Sequence, residues 1–197
     1  MEHKHIKKII SDSFRENASN ADAWLSNSEM NKRAAEILYD KYENACKQHS
    51  AMAPILHQLN IEGGEMENLA RDLTLYKHVL MFYGLTLELA LKAYLIKIGK
   101  FNPIKAKNKG SETDKISLSD EITNYDLSYY YKLVFNAKPS QEEEKHLKNL
   151  TRAIKFGKYY FEKKPPEEFY ENDDFESKIS FAKSTFEKIK ILYKQSG

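Results

Sequence analysis

Two charges stand inside the most apolar run of this chain. Between Phe82 and Gly99, Glu88 is followed four residues later by Lys92, with Lys97 near the end of the run. A carboxylate and an ammonium among leucines and alanines are costly unless they pair or serve a function. Glu before Lys at i, i+4 is the favourable order for an ion pair on a helix. The same two groups read equally well as one wall of a ligand-binding cleft, faced by Asn149, Arg152 and Lys155 from a later helix. Both readings stand.

Other chemistries are less well supplied. His3, His5, His49, His57 and His146 are scattered, with no pair at metal-ligand spacing on one helix, and Cys46 is the lone cysteine. No metal site and no cofactor are expected. Gly63-Gly64 lacks the pattern of a phosphate-binding loop. Lys105, Lys107 and Lys109 can touch phosphates, but lysine runs in loops are usually solvated. Tyr129 to Tyr131 and Tyr159-Tyr160 can stack on bases, or simply pack.

Thirty-one Lys+Arg against 29 Asp+Glu leave a net charge of +2, too balanced to argue for nucleic-acid binding by itself. The 197 residues suit one domain. A single thiol, a charged start without an apolar export segment, and no uninterrupted apolar run of membrane-spanning length fit a cytoplasmic protein with no membrane partner.

The elements that must position these groups carry the helical period. Residues 1–18 read as a loosely ordered lead-in, after which Ser19 or Asn20 caps a short helix through Trp24 and Leu25. Ser28 then caps a helix to about His49, with Ala34, Ile37, Leu38, Tyr42 and Ala45 inward. Met52 to Ile61, with Pro54, reads as a connector. Glu65 to Gly99 is one long helix carrying two apolar stripes, hence central, about 50 Å long, with Gly84 the place for a bend or break.

Residues 101–118 read as an exposed loop. A helix from Ile122 to about Asn136 follows, and Ser140 with Glu143 forms a capping box for the next. That helix turns Leu147, Leu150, Ile154 and Phe161 inward and ends near Lys163. The last, Asp173 to about Tyr193, repeats Phe175, Ile179, Ala182, Phe186, Ile189 and Tyr193 at heptad spacing. The expected fold is all-α, an up-and-down bundle of five to six helices.

Glu88-Leu-Ala-Leu-Lys-Ala-Tyr-Leu-Ile-Lys-Ile-Gly99 resembles the central-helix motif of the HEPN family, the higher eukaryotes and prokaryotes nucleotide-binding helical bundles. Tyr125-Asp126-Leu127 is similar to that family's His-Asp-Leu motif, with Tyr for His. Leu147 to Tyr159 resembles a later helix of some members, with Phe156 for Trp, Lys158 for Arg and one residue fewer before the glycine. The likeness spans roughly residues 65 to 161.

The resemblance implies a nucleotide- or RNA-binding or interaction module, in phage defence or a toxin–antitoxin setting. It also implies a homodimer, and an antitoxin or nucleotidyltransferase as protein partner. Active nucleases of the family carry Arg-x(4–6)-His late in the bundle, where imidazole takes the 2′-hydroxyl proton and guanidinium stabilises the phosphorane. Here the expected helix holds Arg152 and Tyr159, and a tyrosine with its ordinary pKa of about 10 is a poor base. Arg71 and His78 match the spacing literally, but precede the Glu88/Lys92 run. The expectation is a module without efficient catalysis; the alternative is a metal-independent ribonuclease with a variant site.

Overall fold

After a helical turn at residues 16–19, Asn20 opens the first long helix. Its Oδ1 accepts hydrogen bonds from the Asp22 and Ala23 amides at 3.0 and 3.2 Å, which satisfies two amides that the first turn leaves without partners. From there α1 (Ala21–Leu59) runs unbroken for 39 residues. These features come from a computed structural model that describes residues 13, 16–59, 75–104, 119–158 and 174–196.

Three expectations for α1 are corrected. Ser28 does not start a new helix; it is buried, and its Oγ donates to the Thr86 carbonyl at 2.6 Å. The supposed connector from Met52 is helical as far as Leu59, through Pro54. Proline's fixed φ of about −65° is itself helical, and what it removes from a ladder is one hydrogen bond. Ile37 is not inward but 69% exposed, because the face set by Ser28, Ala35 and Ala45 lies on the other side of the helix.

The next helix, α2 (Tyr76–Lys97), is 22 residues, about 33 Å at the α-helical rise. Residues 65–74, with Leu69, Leu73 and Arg71, lie outside the described residues, as do Gly63-Gly64. The helix passes through Gly84 without a break. The missing side chain serves close packing instead: a Cβ there would sit 2.9 Å from the Leu150 carbonyl oxygen and 2.8 Å from Ile154 Cγ1. Gly99, at φ +69°, ends the helix. Its amide donates to the Ile96 carbonyl at 3.0 Å and that of Lys100 to Leu95 at 2.9 Å, closing orphan carbonyls as a left-handed C-terminal cap does.

The helix expected from Ile122 to Asn136 is divided. A short α3 (Asp120–Thr123) stops at Asn124, whose backbone is extended. Asp126 then caps α4 (Leu127–Phe135), its carboxylate accepting from the Ser128 and Tyr129 amides at 3.0 and 3.4 Å. The loop expected to be exposed from Phe101 begins inside: Phe101 and Pro103 are buried, and the Phe101 ring meets Tyr130 edge-on at 5.8 Å. Residues 105–118, including Lys105, Lys107 and Lys109, lie outside the described residues.

The capping box of α5 (Gln141–Lys158) forms as its sequence implies. The Ser140 amide donates to Glu143 Oε2 at 2.8 Å and the Glu143 amide to Ser140 Oγ at 3.2 Å. Tyr131 also donates its hydroxyl to Glu143 Oε1 at 2.9 Å. The Ser140 amide, and then Tyr131, hold the Glu143 carboxyl below its ordinary range despite partial burial. Burial and the same carboxylate push the Tyr131 phenol up to about 12.

A folded-state pKa below the unfolded one stabilises at pH above the unfolded value, and that contribution is lost as pH falls through the folded value. Glu143→Gln is therefore expected to cost about 1 kcal/mol in urea unfolding at pH 7. The gap to wild type should close as the solution is acidified below about pH 4, the ordinary carboxyl range. A gap that does not narrow on acidification would remove the charge from the account.

The last helix, α6 (Phe175–Gln195), buries Phe175, Ile179, Ala182, Phe186, Ile189 and Tyr193, the full heptad set. Side chains bridge it to α1 along its length. Tyr193 donates to Asp22 at 2.7 Å, Lys190 meets Glu29 at 2.7 Å, Lys32 meets Glu187 at 3.3 Å, and Tyr39 donates to Glu176 at 2.8 Å. Helix α2 is the hub, packed against α1, α4, α5 and α6. By length and composition it could cross a membrane, yet 67% of that stretch is buried within the protein. Its apolarity is that of a core helix. Among the described residues the architecture is an all-α bundle without strands.

Candidate functional site

Glu88 and Lys92 sit one turn apart on α2, at 3% and 2% exposure. Lys92 Nζ donates to Glu88 Oε1 at 2.5 Å and to the Ile122 carbonyl, in α3, at 2.6 Å. The ammonium also lies 5.6 Å from the ring centre of Tyr125 and 5.1 Å from that of Tyr130. Desolvating an ammonium is repaid only when charge, dipole and aromatic faces all meet it, and here they do. The second carboxylate oxygen, Glu88 Oε2, is buried with no hydrogen-bond partner among the described residues.

The pair thus ties the central helix to the segment that carries Tyr125-Asp126-Leu127. Within that motif Asp126 is the cap of α4 and Leu127 is fully buried. The Leu127 amide donates to Thr151 Oγ1 of α5 at 3.2 Å. Tyr130 donates its hydroxyl to the Asn124 carbonyl at 2.7 Å, closing the turn. Together these contacts hold the start of α4 beside the middle of α5.

The five proposed cleft residues do not share one environment. Glu88 and Lys92 are buried, Asn149 is half-buried, and Arg152 and Lys155 are exposed on α5. The rotation of α5 explains the split. Leu147, Leu150, Thr151 and Ile154 face the core, and residues at 148, 152 and 155 fall about 120° round the helix from them.

Of the nuclease candidates, Arg71 and Tyr159 lie outside the described residues. His78 is exposed near the start of α2. The Met81 side chain rests against Gly157, so the first turns of α2 lie against the last turns of α5. Among the described residues no cluster of His, Cys, Asp or Glu is arranged to hold a metal ion.

Arg152 and Lys155 belong to a longer feature that the overall charge conceals. From Lys145 to Lys158 the chain has five Lys or Arg and no Asp or Glu, following the acidic first turn Glu142-Glu143-Glu144. Lys145, Lys148, Arg152 and Lys155 are all exposed. Spacings of three, four and three residues put them along one face, spanning about 15 Å. Glu144 offsets the near end, 3.5 Å from Lys148 and 3.9 Å from Lys132 of α4. On α4, Tyr129 is 36% exposed and stands edge-on to Tyr130 at 5.4 Å. The signal was available in the sequence as charge segregated within one helix, but a whole-chain net charge averages it away.

Fold and site define an all-α bundle with a buried Glu–Lys tie and one basic helix face. Comparison of the chain with protein-family models, with curated proteins and with solved structures gave no match.

Proposed function

We propose that the chain is a HEPN-like nucleotide- or RNA-binding module that works without efficient catalysis. The observation that carries this reading is the exposed stripe Lys145, Lys148, Arg152 and Lys155 on α5. A row of cations at intervals of about 5–6 Å along a helix face can meet successive phosphates of a polynucleotide backbone. The Glu88/Lys92 pair then has a positioning role, holding the Tyr125–Leu127 segment against α5. A homodimer, a protein partner such as an antitoxin or nucleotidyltransferase, and a phage-defence or toxin–antitoxin setting belong to the same proposal, through the resemblance of Glu88–Gly99.

The test is binding of a short labelled RNA as a function of salt. Lys148→Ala/Arg152→Ala/Lys155→Ala should weaken binding uniformly across sequences and lower the salt slope by about two to three, roughly one for each phosphate left without its cation. Equal binding and an equal slope for wild type and triple variant would remove the stripe from the proposal. Incubation of the same RNA in EDTA addresses the ribonuclease alternative. Cleavage lost in His78→Ala, or in Arg152→Ala, would replace the binding reading by that one.

A further inference from the structure

We propose that Ser177 is a nucleophile activated by His146, forming an acyl-accepting site separate from the basic stripe. Ser177 Oγ lies 3.1 Å from His146 Nε2, a hydrogen bond between α6 and α5. His146 is only 3% exposed, and its ring is fixed beside Phe181 at a centroid distance of 5.3 Å. A polar pair this well shielded is stronger than it would be in water, and the serine itself is half-buried rather than enclosed. The pair has the essential relation of nucleophile to base.

Two neighbours suit the charges that such a reaction creates. Glu142 Oε1 is 3.8 Å from the same Nε2, placed to stabilise the imidazolium once the ring has taken a proton. His146 Nδ1 is buried and has no partner among the described residues; the ring carries its proton there when Nε2 accepts from Ser177. Ser177 is the third residue of α6, and the cap residue Asp174 makes no side-chain hydrogen bond to the first turn. Amides of a first turn lack acceptors within their helix and carry the positive end of its dipole. The amide of Ser177 is therefore a donor for an oxyanion forming on an attacked carbonyl or phosphoryl group.

The substrate class is a small activated ester. Ser177 Oγ bonds to the acyl carbon, its proton passes to His146 Nε2, and the bond to the leaving oxygen breaks as that oxygen receives the proton. Water then repeats the sequence, with His146 taking its proton, and the acyl–Oγ bond breaks as Oγ is reprotonated. No oxidant or further reactant is needed.

The experiment treats the full chain with a fluorophosphonate probe, whose phosphorus–fluorine bond breaks as the serine oxygen bonds to phosphorus, the serine proton leaving through the histidine. Mass mapping should find one phosphonyl group, on Ser177, in folded protein and none in urea. Ser177→Ala should remove it, and His146→Gln should slow it about 100-fold, the usual share of a general base. Glu142→Gln changes an exposed side chain, 77% accessible, and should slow labelling about fivefold through the lost charge near the ring. A structural serine–histidine contact predicts no labelling. Unlabelled folded wild type, labelling that is the same in urea, or a folded His146→Gln variant reacting at the wild-type rate overturns the proposal. If that variant does not fold, Glu142→Gln decides, and an unchanged rate there also overturns it.

Discussion

Lys92→Met is expected to lower stability by about 3–5 kcal/mol, the penalty for leaving one member of a buried ion pair behind. Glu88 would be left in a position with 3% exposure, with the Lys92 ammonium that meets its carboxylate gone. The Ile122 carbonyl would lose its 2.6 Å donor as well, a further cost of about 1 kcal/mol. For a chain of this size that is a fall of about 10 °C or more in Tm.

The companion experiment separates charge from shape. Glu88→Leu/Lys92→Met removes both charges together, and well-packed apolar replacements of buried pairs are commonly neutral or better. The double variant should recover most of the loss and retain only the cost of the orphaned Ile122 carbonyl. A single Lys92→Met variant that loses less than about 1 kcal/mol would mean that the pair is hydrated, and the packing described around it would be wrong.

Gly84→Val is expected to cost about 3 kcal/mol, at the upper end of what overpacking a core does. The obstacle is specific. A Cβ at this position meets the Leu150 carbonyl oxygen at 2.9 Å, and backbone of a packed helix cannot swing aside as a side chain does. Gly84→Ala sets two effects against each other: helix propensity favours alanine by about 1 kcal/mol, whereas the clash costs about 1–3 kcal/mol. The net should be a loss.

Gly157→Ala is the control. There the new methyl meets the flexible side chain of Met81 rather than backbone, so propensity should prevail and stability hold or rise by up to about 1 kcal/mol. Chemical denaturation of the three variants reads this directly. A stabilised Gly84→Ala would show that α2 and α5 are further apart than described.

Local rules carried far in this chain. The Ser140/Glu143 box, the Asn20 cap, the end of α2 at Gly99 and the heptad of α6 all depend on residues within one or two turns, so spacing alone reveals them. The Glu88–Lys92 contact is of the same kind, four residues apart on one helix. Where the reading of residues failed, the deciding partner was far away in sequence. Ser28 has the chemistry of a cap, but the Thr86 carbonyl claims its hydroxyl from 58 residues away. Gly84 has the chemistry of a helix weak point, but α5 needs the space. Ile37 fits an apolar stripe, yet α1 is turned so that it faces out.

The candidate site divides along the same line. By itself the sequence determined that the chain is helical, where α5 begins, where α2 ends and both ends of α6, and that Glu88 and Lys92 are placed to pair. It also held the run of cations from Lys145 to Lys158. Only the tertiary structure decided that Lys92 reaches the Ile122 carbonyl, that Arg152 and Lys155 are exposed while Glu88 and Lys92 are buried, and that His146 meets Ser177. Helix periodicity says which residues share a face; which face turns inward depends on whichever helix packs against it. That choice is made by the summed burial of all the elements and is written in no single segment.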